Sequence, residues 1–180
     1  MTTARVNRIV VGVTGGLANL AALHAAVAHA RRSAAPLVAV HAWLPVGGEI
    51  AYRRGPCPPL LEVWRQQARD TLTRAFVDAF GGIPTDLPVE SVILRGEPGP
   101  TLVAAANHPD DLLVVGSGHR GHLAGFRYGS VSRHCLTRAG CPVLAVPPPA
   151  LLRELRSSRL PWRARDVIAV DEPASHHQRG

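Results

Sequence analysis

Apolar positions along the chain fall into two kinds of run. Val89–Leu94 alternates enough to be a strand, whereas Arg8–Val13 (RIVVGV), Leu37–Trp43 (LVAVHAW), Leu112–Val115 and Val143–Val146 are short apolar runs with little polar alternation. Runs of that kind suit strands covered on both faces, as in a parallel sheet. Between them the apolar residues recur at helical spacing. Leu20, Leu23, Ala26, Val27 and Ala30 form one stripe, with Asn19 as a candidate N-cap. Leu61, Trp64, Ala68, Leu72, Ala75, Phe76 and Ala79 form a second within Leu60–Phe80, which Gly81-Gly82 ends. A short helix is expected over Pro100–Asn107, closed by Pro109, and a last one opens at Ser130. Leu44–Pro59 holds four prolines and three glycines without periodicity and reads as a long irregular excursion.

Strands and helices therefore alternate, which predicts a parallel sheet with helices on both sides, a three-layer α/β/α sandwich. One domain is expected over residues 1–149, ended by Pro147-Pro148-Pro149. Residues 150–180 form an extension, expected to be helical over Leu151–Arg159 and disordered at its end.

The chemistry concentrates between the fourth and fifth strands. Gly116, Gly118, Gly121, Gly125 and Gly129 lead into Ser130 and Ser132 at the start of a helix. Glycines let a ligand approach the backbone, and a helix N-terminus offers unpaired N–H groups and the positive end of its dipole. Strand, glycine loop and helix start together make a candidate phosphate site.

The stretch VVGSGHRGHLAGFRYGSVSRHCLTRAGCPVLAVP, with RIVVGVTGGLANLAALHAAVAHA near the start, resembles the universal stress protein (UspA-like) family over roughly residues 7–147. The resemblance implies an adenine nucleotide α-hydrolase-like fold, a five-stranded parallel sheet of order 3-2-1-4-5. The first and fourth strands then lie side by side where the winding reverses, the usual ligand crevice of open α/β sheets. It further implies ATP, with Mg²⁺, as the candidate ligand. Thr14, Val40, Gly116, His119, Gly129, Ser130 and Val131 match the positions that hold the nucleotide, Val40 through its backbone. Two positions depart from the family pattern. His119 stands where the nucleotide-binding signature has its second glycine, and Thr14 stands where those members carry an aspartate. The resemblance also implies a homodimer paired through the last strand, Val143–Val146.

Composition narrows the picture. The 20 basic residues, all Arg, exceed 13 acidic ones, for a formal net charge of +7. These arginines are dispersed among acids and not interleaved with aromatics, so nucleic-acid binding is not expected. The first residues lack the apolar core of a signal peptide, and no apolar run reaches the length of a membrane span. A soluble cytoplasmic protein is the simplest expectation.

Cys57, Cys135 and Cys141 make neither an even set nor a CxxC pair, and the latter two read as small buried residues. His119 and His122, three apart, lack a third ligand, so no metal site is expected there. No serine elbow, paired acids or HExxH occurs, and an enzyme is not expected. Two readings stay open: a regulatory module in stress response that binds ATP or another adenine nucleotide, and a nucleotide-free dimeric scaffold that acts on an unknown protein partner.

Overall fold

The computed structural model describes residues 6–117 and 129–149. In chain order the elements are β1 (Arg8–Gly12), α1 (Leu17–Ser33), β2 (Leu37–Trp43), α2 (Gly48–Arg54), α3 (Pro58–Phe80), β3 (Val89–Arg95), α4 (Pro98–Ala105), β4 (Asp111–Gly116), α5 (Ser130–Arg138) and β5 (Val143–Val146). All five strands are parallel, in the order β3-β2-β1-β4-β5. The three-layer α/β/α sandwich and its strand order are those anticipated. The extension expected over 150–180 lies outside the described residues.

Each sheet face carries its own core, because successive strand residues point to opposite sides. Ile9, Val11, Leu37, Ala39 and Val114 face α1 and α3, where they meet Leu23, Val27, Leu72 and Phe76. Val10, Val38, Val40, Leu113 and Val115 face Leu102 and Ala106, at the end of α4, and Cys135 of α5. The apolar runs lack polar alternation for this reason: both of their faces are covered.

The structure corrects the sequence reading at four places. The excursion Leu44–Pro59 contains the helix α2, although none of its residues is buried. A helix of seven residues is not stable alone, and tethers hold this one. Glu49 takes a two-armed ion pair from Arg95 at 3.0 Å on each arm. The same guanidinium lies 4.7 Å from the Tyr52 ring centre, and Tyr52 meets Trp64 edge-on at 6.3 Å. Charge and aromatic contacts leave no apolar period to read.

Second, α4 begins two residues earlier than expected, with Pro98 in its first turn, where a missing N–H costs nothing. Third, Asn19 does not cap α1. The N-cap is Gly16, and Asn19 lies within the first turn, buried. Fourth, Leu20, Leu61, Trp64 and Ala79 are only half-buried, at the margins of their stripes.

At the N-terminal end of the sheet, β1 and β4 are locked by one ion pair. Arg8 Nε donates to Asp111 Oδ1 and Arg8 Nη2 to Asp111 Oδ2, both at 2.9 Å. The same Nη2 also donates to the Ala105 carbonyl and to Asn107 Oδ1. Asp111 is 1% exposed. Burial pushes its carboxyl up, but the Arg8 hydrogen bonds and the His108 N–H together hold it below the usual carboxylate range. A lowered folded-state value means that this contribution is present above the unfolded pKa, about 3.9, and fades as pH falls through the folded value. Asp111→Asn should therefore lower stability at neutral pH by roughly 2–4 kcal/mol, seen as a lower urea midpoint and less than for a fully buried pair because Arg8 is partly exposed. The variant should also lose part of the acid limb of the stability curve. An unchanged midpoint at neutral pH would refute this role.

Candidate functional site

The site arises where β1 stops short of its neighbours. Pairing of β1 with β2 ends at Gly12 opposite Val40, while β2 runs on to Trp43. On the other side, β1 pairs with β4 as far as Val11 opposite Val114, and Val115 and Gly116 pair only with β5. A cavity of about 240 Å³ fills the gap, at the C-terminal ends of the strands. Gly12 and Leu102 meet in its lining: a Cβ at position 12 would sit 2.7 Å from Leu102 Cδ1.

Beyond Gly12 the chain turns through Val13 and Thr14 into α1, and local hydrogen bonds fix that turn. With its amide oriented to satisfy both ends, Asn19 donates to the Gly12 carbonyl at 2.8 Å and accepts from the Thr14 N–H at 3.0 Å. His41 Nδ1 lies 2.8 Å from the Val13 carbonyl. A carbonyl only accepts, so Nδ1 carries the proton. The Thr14 side chain itself is exposed at the cavity.

Opposite this turn, α5 starts at Ser130 with Gly129 as an N-cap that lends no side chain. The Arg133 N–H reaches back to the Gly129 carbonyl, which also accepts from the buried Ser132 hydroxyl at 3.1 Å. The N–H groups of Ser130, Val131 and Ser132 precede the first helical hydrogen bond and have no partner within the helix. Ser130, Val131 and Ser132 all line the cavity.

Backbone parity decides what β2 presents. The Leu37 N–H donates to the Pro88 carbonyl and the Trp43 carbonyl accepts from Gly96, so odd-numbered residues bond toward β3. The Val40 carbonyl accepts from the Val13 N–H at 2.8 Å, so even-numbered residues bond toward β1. Ala42 is the next even residue. It lies past the last paired residue of β1 and lines the cavity, so its N–H and carbonyl point toward the gap.

The sequence matches the universal stress protein family over residues 5–147. The chain belongs to this family. A universal stress protein of Mycobacterium bovis is 34% identical over 142 residues, 77% of this chain and 47% of that protein. The chain spans about half the length of the curated relatives that head this comparison. Among solved structures, the universal stress protein UspA from Lactobacillus plantarum is 25% identical, with a TM-score of 0.62, over 80% of this chain and 99% of that one. A universal stress protein from Archaeoglobus fulgidus in complex with dAMP is 24% identical, with a TM-score of 0.53, over 77% and 96%. That last likeness is one of fold.

Of the residues expected at the nucleotide site of this universal stress protein, Thr14, Val40, Gly116, Gly129, Ser130 and Val131 line the one cavity. His119 lies outside the described residues. Ser132, read from the sequence with Ser130 at the helix start, lines it too, and so do Ala42, Leu102 and Asn19, which the sequence reading did not place at the site. Strand parity would have found Ala42, given the length of β1.

The cysteines stand apart from the cavity lining. Cys135 is fully buried, and burial pushes its thiol up to about 11, so it is a neutral core residue at physiological pH.

The donor set does not fit Mg²⁺. That ion takes oxygen ligands in an octahedron and is usually held by one or two carboxylates besides phosphates. The described lining offers hydroxyls, an amide engaged at both ends, and backbone groups, without one carboxylate. Among the described residues no group of three or more His, Cys, Asp or Glu is placed to hold a metal.

Asn19 makes a local prediction. Asn19→Ala leaves the Gly12 carbonyl and the Thr14 N–H unpaired beside the cavity, at a cost of about 1–3 kcal/mol. Chemical denaturation should show that loss. A loss below about 0.5 kcal/mol would mean that the turn holds its shape without the side chain.

Proposed function

We propose that this universal stress protein binds an adenine nucleotide in the cavity between the ends of β2 and β4, and that it acts as a regulatory module in stress response and not by turnover. One observation carries the reading: the cavity joins a free backbone edge at one side to a helix N-terminus at the other. The N–H and carbonyl of Ala42 form an adjacent donor and acceptor. The edge of adenine presents the complement, a ring nitrogen that accepts beside an amino group that donates. The N–H groups at the start of α5 and the Ser130 hydroxyl suit a phosphate. In this reading Ala42 takes the base-recognising role first given to Val40, whose carbonyl is already engaged by Val13. Thr14, Gly116, Gly129, Ser130 and Val131 keep their places, and His119 lies between Gly116 and Gly129 in sequence. The fold-level likeness to a chain in complex with dAMP agrees with this use of the fold.

The second reading, a scaffold that works through a dimer, draws on β5. Its four residues are all half-buried, and among the described residues the strand ends the sheet with one edge of backbone groups unpaired. An open apolar edge favours pairing with another chain. Both readings are compatible with a homodimer through Val143–Val146.

Two measurements test these proposals. Ala42→Pro removes one N–H that no neighbouring strand uses, so circular dichroism should be retained while calorimetry shows about tenfold weaker binding of an adenine nucleotide. Full affinity in the folded variant would remove Ala42 from the site. Wild type that binds no adenine nucleotide would leave the scaffold reading in place. For the dimer, sedimentation velocity at micromolar concentration should give twice the monomer mass. A monomer there, or a dimer held through α3, would refute pairing by β5.

A further inference from the structure

One helix of the fold is held only from its surface. α2 buries no residue, and neither does the part of α3 that follows it, where the buried positions begin at Ala68. We propose that α2 is a hinged flap beside the rim of the cavity, with Arg95 as its latch, and that it opens while the sheet stays folded. Three observations support it.

The first is the hinge. Gly47 and Gly48 both take left-handed backbone, at φ of 82° and 84°, conformations that glycine adopts without steric cost. The Gly48 N–H donates to the Pro45 carbonyl at 2.8 Å and sets this turn. A Cβ at position 48 would meet nothing within 4 Å, so an alanine there strains the backbone alone. Gly55 closes the other end, its N–H returning to the Tyr52 carbonyl at 3.2 Å. A helix this short between two glycine ends melts once released.

The second is the latch. Arg95 of β3 holds α2 twice, through the Glu49 carboxylate and over the Tyr52 ring. The side chains of Arg95 and Glu49 are 30% and 36% exposed, so salt screens the pair. Arg53 also reaches Glu49, but at 3.4 Å and from within α2, which ties the flap to nothing else.

The third is position. Ala42 lines the cavity just before the chain leaves β2 for α2, and Pro98 lines it just after Arg95. The Gly96 N–H donates to the Trp43 carbonyl at 2.9 Å and joins these two exits. The latch stands next beyond that bond. Opening α2 therefore loosens the rim on the side of Ala42 and Pro98 and leaves the strand ladders paired.

Hydrogen exchange of the full chain, read by mass spectrometry with and without low urea, tests the proposal. The amides of α2 should exchange at least about a hundredfold faster than those of β1 and β2, with little urea dependence, because the opening exposes little surface. Raising salt from about 0.05 M to about 1 M should speed α2 about twofold or more. Arg95→Gln should speed it about fivefold or more and abolish the salt effect, and Glu49→Gln should do the same more mildly. Arg53→Gln should behave as wild type. Gly48→Ala, which strains the closed turn and spares the latch, should speed α2 and keep the salt effect. Exchange of α2 at the rate and urea dependence of β1 and β2 would show that it opens only with the whole fold, and would overturn the flap. An equal salt effect in wild type and Arg95→Gln would overturn the latch. An Arg95→Gln chain that no longer folds would overturn both, since the latch would then belong to the sheet.

Discussion

The structure depends on a mismatch of strand lengths. β1 is the central strand, paired on both edges and covered on both faces, with Ile9, Val10 and Val11 fully buried. Its neighbours continue after it ends: β2 to Trp43 and β4 to Gly116. Two inter-strand spacings, about 9–10 Å, then separate β2 from β4 with no strand between them. The cavity is that space. Its polar edge exists because β2 residues beyond Val40 have lost their partner, and its far wall is formed by the end of β4 and the start of α5. Had β1 run two residues further, the ladder would have used the Ala42 backbone and filled the gap.

The opposite end of the same two strands is closed as firmly as this end is open. Arg8 and Asp111 are directly paired in register and joined by two hydrogen bonds. A carboxylate buried to this degree is tolerated only because guanidinium and backbone N–H groups satisfy it. The sheet is thus pinned at the N-terminal edge of β1 and β4 and parts at their C-terminal edge. Polar groups are paired to one another where the structure is closed, and directed at the cavity where it is open.

Much of this was legible in the sequence, and the parts that were not have a common cause. Apolar runs without alternation located β1, β2, β4 and β5, with β2 and β5 bounded to the residue, and β3, at the edge of the sheet and without a buried residue, was located by its alternation. Helices with an apolar stripe, α1 and α3, were equally plain. The strand order came from resemblance, since nothing local in a parallel strand records which neighbour it will take. α2 was hidden because an ion pair to Arg95 and a ring contact to Trp64 hold it, and neither has a period. Asn19 looked like a cap because it stands just before an apolar stripe. One more helical turn places its amide instead against Gly12 and Thr14, a role visible only once the turn is folded. The cavity followed the same rule. Gly116, Gly129 and Ser130 were found by type and spacing and Thr14 by resemblance, whereas Ala42 lines the cavity through its backbone, and alanine carries no signal for that.

The turn between β1 and α1 shows how a neutral loop takes the place of a charged one. Its backbone polar groups are held by two side chains that approach from outside it, Asn19 from the helix and His41 from β2. Neither bond involves an ionised group as a requirement. The His41 contact is donated by Nδ1–H to the Val13 carbonyl, which can only accept. A carboxylate at position 14 would have made the geometry and charge of the wall depend on a cation. With threonine there, the described lining carries no charge, and backbone direction together with the Asn19 and His41 bonds sets the shape of this wall.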